Sequence, residues 1–178
     1  AAPDIMGAAV AVALSDGTVR VVDLRTPDSA LNFLIRSDSE SSGSYATAVC
    51  WSPDKLSIVS TMGCGDVALL DLRTSRLRAY IRSAHSSACF GSVFKASNDT
   101  DSSSQCATWS SDGSLRVWDM ETLQGVCSAD HALGGCTLPG YPIYCAAAGP
   151  SSSSELIVGG GGSDFSFVGV LVHSVKVW

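Results

Sequence analysis

With 178 residues, 46% of them hydrophobic and 16% charged, the chain is long and apolar enough to bury a core, which excludes global disorder. Its 11 Lys+Arg against 17 Asp+Glu give a net charge of −6, which argues against nucleic-acid partners held by bulk electrostatics. No run of roughly 18 apolar residues occurs, so no membrane-spanning helix is expected.

The charge is uneven: residues 1–89 hold 8 basic and 9 acidic side chains, residues 90–178 hold 3 and 8. Seven cysteines fall at positions 50, 64, 89, 106, 127, 136 and 145. The odd count, the lack of a Cys-x-x-Cys pair and their setting in apolar runs predict free thiols in a reducing compartment, cytoplasmic or nuclear. Ala1-Ala2-Pro3-Asp4 shows no signal-peptide pattern, and Val175-Lys176-Val177-Trp178 stops inside a strand pattern, so both ends read as cut.

In chain order, the first unit reads as a strand over 9–14, a turn at Ser15-Asp16-Gly17, a strand closing on Asp23 and an outer strand over 31–36. The second has an inner run over 47–51, a strand over 56–62, a turn at Gly63-Cys64-Gly65, a strand closing on Asp71 and an outer strand over 77–82. The third repeats this with 88–94, 105–109, a turn at Ser111-Asp112-Gly113, a strand closing on Asp119 and an outer strand over 124–128. The fourth has 143–147, 156–159, a glycine run at Gly159-Gly160-Gly161-Gly162 read as a hairpin or bulge, and a last strand ending at Trp178. The closing aspartates stand 48 residues apart twice (71 − 23 and 119 − 71). A period of about 40–50 with a glycine turn and an alternating strand predicts a four-stranded antiparallel unit repeated in an all-β array.

Ser111-Asp112-Gly113-Ser114-Leu115-Arg116-Val117-Trp118-Asp119 resembles the ending of a WD40 repeat, and Ala48-Val49-Cys50-Trp51-Ser52-Pro53-Asp54 resembles its inner strand and turn. The resemblance covers nearly the whole chain and implies a partial β-propeller, with blade parts at about 7–36, 45–83, 86–129 and 141–178. It also implies a structural hydrogen-bonded tetrad in the third unit, made of His85, Thr108, Asp112 and Trp118. Other units depart from it: Val22 and Leu70 replace the Trp, Val12 replaces the hydroxyl residue, and Cys64 replaces the Asp. Counted this way, the chain starts at the second strand of one blade and stops at the third of another, about three and a half blades. Closure takes about 4 to 8 blades. The missing ones are therefore expected from further sequence, a second chain or a symmetric copy.

The resemblance implies a non-enzymatic binding platform with protein partners. The tetrad could be mistaken for a hydrolase triad, but Thr108 lies within a strand and no Gly-x-Ser-x-Gly elbow is present. Candidate partner-binding residues are Arg25, Arg73, Arg76, Arg78 and Arg82. Asp23-Leu24-Arg25 and Asp71-Leu72-Arg73 resemble the Asp-x-Arg endings of cullin–RING ligase adaptors, and are equally a turn ion pair. Along 77–82, Leu77, Ala79 and Ile81 are expected to face inward, with Arg78, Tyr80 and Arg82 in water, as on a charge-guarded edge. Tyr141-Pro142-Ile143-Tyr144 followed by the glycine run resembles a Sec12-like exchange factor, although there the motif opens the propeller. Cys127, His131, Cys136 and Cys145 match no zinc spacing, so neither metal nor cofactor is expected. Asn98-Asp99-Thr100 is a glycosylation sequon that a reducing compartment would leave unused. The serine-rich stretches 37–44, 98–104 and 151–154 are candidate phosphorylation sites or solvated padding.

Overall fold

Glycine decides where the strands turn. Gly17, Gly65 and Gly113 hold the same place in three successive hairpins, with φ of 82°, 89° and 78°. L-residues avoid this region because Cβ crowds the following carbonyl. Around these turns the alternating apolar runs pair as antiparallel strands. The structure, a computed structural model, describes residues 2–3, 8–26, 28, 30–35, 45–95, 105–121, 142–148, 155–160 and 171–176. Every regular element among them is a strand.

Two compact units divide at Cys89/Phe90. In the first, β1 (Ala2–Pro3), β2 (Ala9–Ala13), β3 (Thr18–Asp23) and β4 (Ala30–Leu34) form one sheet in that order. β5 (Ala46–Trp51), β6 (Ser57–Met62), β7 (Val67–Asp71) and β8 (Arg76–Ile81) form the next. The first sheet has one strand more than the sequence count: Ala2 and Pro3 pair with Ala11 and Val10. A two-residue strand carries no alternation, which is why periodicity passes over it.

Within this unit the alternation puts Val19 and Val21 inside and Arg20 in water. Ala11, Val19, Val21, Phe33 and Ile35 of the first sheet pack on Ala46, Ile58, Met62, Ala68 and Leu70 of the second. Each large aliphatic side chain so buried contributes about 1.5–3 kcal/mol.

The second unit begins one residue into β9 (Cys89–Phe94), which with β10 (Gln105–Ser110) and β11 (Leu115–Asp119) makes a sheet of order β11-β10-β9. β12 (Ile143–Ala148), β13 (Glu155–Gly160) and β14 (Leu171–Lys176) make another. Ala107, Trp109, Leu115, Val117 and Ile143 form the core of this unit, with Phe90, Val93 and Ala146 against it. Gly159 and Gly160 are strand residues, paired with Val172 and Leu171, and they oppose an irregularity between Ile143 and Cys145. A Cβ on Gly159 would lie 2.6 Å from Cys145 Sγ, so close packing explains the glycine there. The expected strand at 124–128, the cysteines 127 and 136, His131, the sequon, the three serine-rich stretches, Tyr141, Gly161, Gly162 and Trp178 lie outside the described residues.

Candidate functional site

The strand-closing aspartates shape the corners that follow β3, β7 and β11. Asp23 accepts from the backbone N–H of Arg25 at 2.9 Å and takes its guanidinium on both oxygens, at 3.0 Å from Nε and 2.7 Å from Nη2. This fork holds the Asp23 carboxyl down at about 2, first through the guanidinium hydrogen bonds and then through the Arg25 N–H. Asp71 repeats the turn with a looser fork: Arg73 N at 2.8 Å, its guanidinium nitrogens at 3.5 and 3.4 Å. Its carboxyl is likewise lowered, chiefly by the Arg73 side chain. Asp119 accepts from Glu121 N at 2.8 Å, so the third turn makes the same bond with Glu in the place of Arg. The carboxylate-to-amide bond therefore makes the corner, and Arg25 and Arg73 bend back onto it as turn ion pairs.

Arg76, Arg78 and Arg82 are exposed on or just after β8, but the expected alternation fails there. Leu69 pairs with Ala79 while Leu70 pairs with Leu77, which leaves Arg78 as an extra, bulged residue. Leu77 and Tyr80 depart from the expected sides, while Arg78 and Arg82 stay exposed. Leu77 is 46% exposed, whereas Tyr80 packs on the core between the first two sheets.

Asp66, which sequence reasoning missed, accounts for that inward turn. It is buried, and it accepts from Tyr80 Oη at 2.6 Å and from Ser83 N at 2.7 Å. The available signal was positional. The residue after each turn glycine is Thr18, Asp66 or Ser114, and Thr18 and Ser114 each donate a backbone N–H to the turn's own aspartate at 2.8 Å. With Cys64 in that aspartate's place the Asp66 N–H meets a thiol instead of a carboxylate, and the Asp66 carboxylate itself reaches the outer strand.

Within the expected tetrad, Trp118 Nε1 donates to Thr108 Oγ1 at 2.8 Å, both side chains buried. Asp112 accepts from the N–H of Ser114 and from its hydroxyl, fixing the turn beside them. His85 is buried in the first unit, where its backbone N–H donates to Gly65 O at 2.9 Å. In the second sheet the hydroxyl and indole positions are held by Ser60 and Leu70. The leucine side chain has no N–H to donate, and the Ser60 hydroxyl is buried without a partner. Among the described residues no cluster of three His, Cys, Asp or Glu is gathered as for a metal.

Antiparallel sheets of three or four strands, turning on a positive-φ glycine and closing on an aspartate, define the class: the fold is all-β and is that of WD40-type propeller blades. Among solved structures the chain is similar to Sqt1 of Chaetomium thermophilum, a WD40 propeller solved bound to the N-terminus of the ribosomal protein L10. The TM-score is 0.72 at 21% identity. The match covers 88% of this chain and 39% of that one, so this chain spans well under half of the neighbour's length. In all, 1003 solved chains match, so the likeness fixes an architecture and selects no partner. No family model and no curated protein matches the sequence.

Proposed function

We propose that this chain is a non-enzymatic protein-interaction platform, a WD40-type subunit of a larger multiprotein assembly in the cytoplasm or nucleus. The observation that carries the reading is how the buried polar groups are used. Asp66 ties an outer strand, Asp71 a corner and Thr108 an indole, so each serves to stiffen a blade. A rigid frame that presents loops and edges suits recognition of other proteins. The neighbour's binding to a ribosomal-protein terminus supports protein partners for this chain too. Among the described residues Cys50, Cys64, Cys89, Cys106 and Cys145 are joined in no disulfide, in keeping with a reducing compartment.

Further blades complete the ring in this reading, supplied by more sequence, a second chain or a symmetric copy. Supporting this, the first sheet's face away from the second carries Val10, Val12 and Val22, aliphatic and half-buried. The greater length of the neighbour points the same way.

Affinity purification of the full-length parent with quantitative mass spectrometry tests the platform. One or more partners at fixed stoichiometry are expected. A parent that purifies alone from every extract, with no partner recovered by cross-linking, would sink the reading.

A further inference from the structure

The outer hairpin of the second sheet gathers cations on a chain that is acidic as a whole. Residues 67–82 hold four Arg and one Asp, out of 11 Lys+Arg and 17 Asp+Glu for a net charge of −6. Arg73 is bound to Asp71. The guanidinium groups of Arg76 and Arg78, on exposed residues of β8, make no hydrogen bond or ion pair among the described residues. The carboxylates of the same sheet are committed elsewhere. Asp71 takes Arg73, and the buried Asp66 takes Tyr80 Oη and Ser83 N. Asp54 stands in the turn between β5 and β6, with β7 between it and β8, and accepts from Ser52 Oγ and Leu56 N. Two cations are therefore left over at this edge.

Two features say what docks there. First, the outer side of β8 pairs with no strand among the described residues, and the bulge at Arg78 breaks the row of amides and carbonyls that an added strand would need. Recognition falls to the side chains. Second, Arg76 and Arg78 flank Leu77, which is 46% exposed, so an apolar contact sits between two cations. The cations are strung along a strand at about 3.3 Å per residue and do not converge on one point. That suits carboxylates carried along a peptide better than a single phosphate, whose sites gather donors around one group. A long polyanion would also meet the chain's net negative charge, whereas a short acidic segment feels mainly the charges within about 8 Å at physiological salt.

Building on the platform reading, we propose that β8 docks a short acidic segment of a partner protein. Its Asp or Glu side chains pair with Arg76 and Arg78, and an apolar residue between them covers Leu77. Each guanidinium offers a planar fork that matches a carboxylate on both oxygens. A second copy of this chain meeting edge to edge fits less well, because it would bring Arg76 and Arg78 against the same two cations.

The test is fluorescence anisotropy of a dye-labelled Glu-Glu-Leu-Glu-Glu peptide with the full chain. A Gln-Gln-Leu-Gln-Gln peptide and a glutamine peptide with one phosphoserine serve as comparisons. The Glu peptide is expected to bind best. Raising the salt from about 0.1 M to about 1 M, which shortens the screening length from about 10 Å to about 3 Å, should remove most of that binding. Arg76→Gln and Arg78→Gln, both at exposed positions, should each weaken it about 5-fold, the range for an exposed charge pair. Arg20→Gln, which takes the same charge from the first sheet, should leave it unchanged. Equal losses for Arg20→Gln and Arg78→Gln would reduce the effect to overall charge and overturn the proposal. Equal affinity for the Gln peptide, or tighter binding of the phosphoserine peptide, would overturn it too. So would a concentration-dependent dimer that Arg78→Gln dissolves, which assigns the edge to a second copy. Failure of the Glu peptide to bind, in a parent that keeps its stoichiometric partners with Arg76→Gln and Arg78→Gln, would remove the docking edge while leaving the platform standing; a parent without partners removes the platform itself.

Discussion

The hydroxyls of Ser60 and Thr108 stand four residues before the middle residue of the turn, Cys64 or Asp112, in successive repeats, and what lies beside each gives it opposite worth. Thr108 satisfies the indole of Trp118 in a buried site. Thr108→Val keeps the shape and leaves that N–H unpaired, so a loss of about 1–3 kcal/mol is expected in denaturant unfolding. Ser60 has no partner and already bears the cost of desolvation. Ser60→Ala should therefore be close to neutral or stabilising, within about 0.5 kcal/mol. Equal losses for the two would mean that burial alone, and not the indole bond, sets the value of these hydroxyls. Asp23 supplies a pH-dependent counterpart. Its folded pKa of about 2 lies below the unfolded carboxylate's, about 3.9. The stabilisation from the pair is thus complete above the unfolded value and disappears as pH falls toward the folded one. Carboxyl chemical shifts should show a midpoint near 2 for Asp23, and Arg25→Gln should return it toward the ordinary range. An unmoved midpoint would transfer the effect to the backbone N–H of residue 25.

At the scale of the element, the turn glycines carry the most consequence per atom. A Cβ on Gly65 would meet His85 O at 2.4 Å and Ser87 O at 2.6 Å, on a backbone of φ 89°. Neither carbonyl is the end of a flexible side chain, so Gly65→Ala should cost more than about 2 kcal/mol. Ser75 is the reverse case, an exposed residue already at φ 52° in the β7–β8 turn. Ser75→Gly should be neutral or gain up to about 1 kcal/mol. Thermal melts of the two variants check the pair, and a harmless Gly65→Ala would mean that the 85–87 segment yields. These turns were legible in the sequence because a glycine turn and an alternating strand are local, and the 48-residue spacing repeats them. What escaped was non-local or lacked periodicity. The strand at Ala2–Pro3 is too short to alternate, and the bulge at Arg78 leaves a sequence that still reads as alternating. The Tyr80–Asp66 bond joins residues 14 apart through the fold.

For the whole molecule, the arrangement of contacts predicts how damage spreads. Where repeats touch mainly their neighbours, stability is close to a sum of unit terms and nearest-neighbour terms. The chain divides at Cys89/Phe90 into two units, each with its own core: Ile58 and Leu70 are buried in the first, Leu115 and Val117 in the second. Ile58→Ala and Leu115→Ala should each cost about 2–5 kcal/mol, since each opens a cavity among close-packed strands. They share no core, so the double variant should lose the sum of the two to within about 0.5 kcal/mol. Hydrogen exchange gives the spatial form of the same claim. Ile58→Ala should speed exchange in β2, β3, β6 and β7 while β10 and β12 keep their protection, and Leu115→Ala should do the opposite. If either variant instead loosens all these strands together, the molecule unfolds as one cooperative body, and its rigidity as a platform comes from global closure and not from each pair of packed sheets.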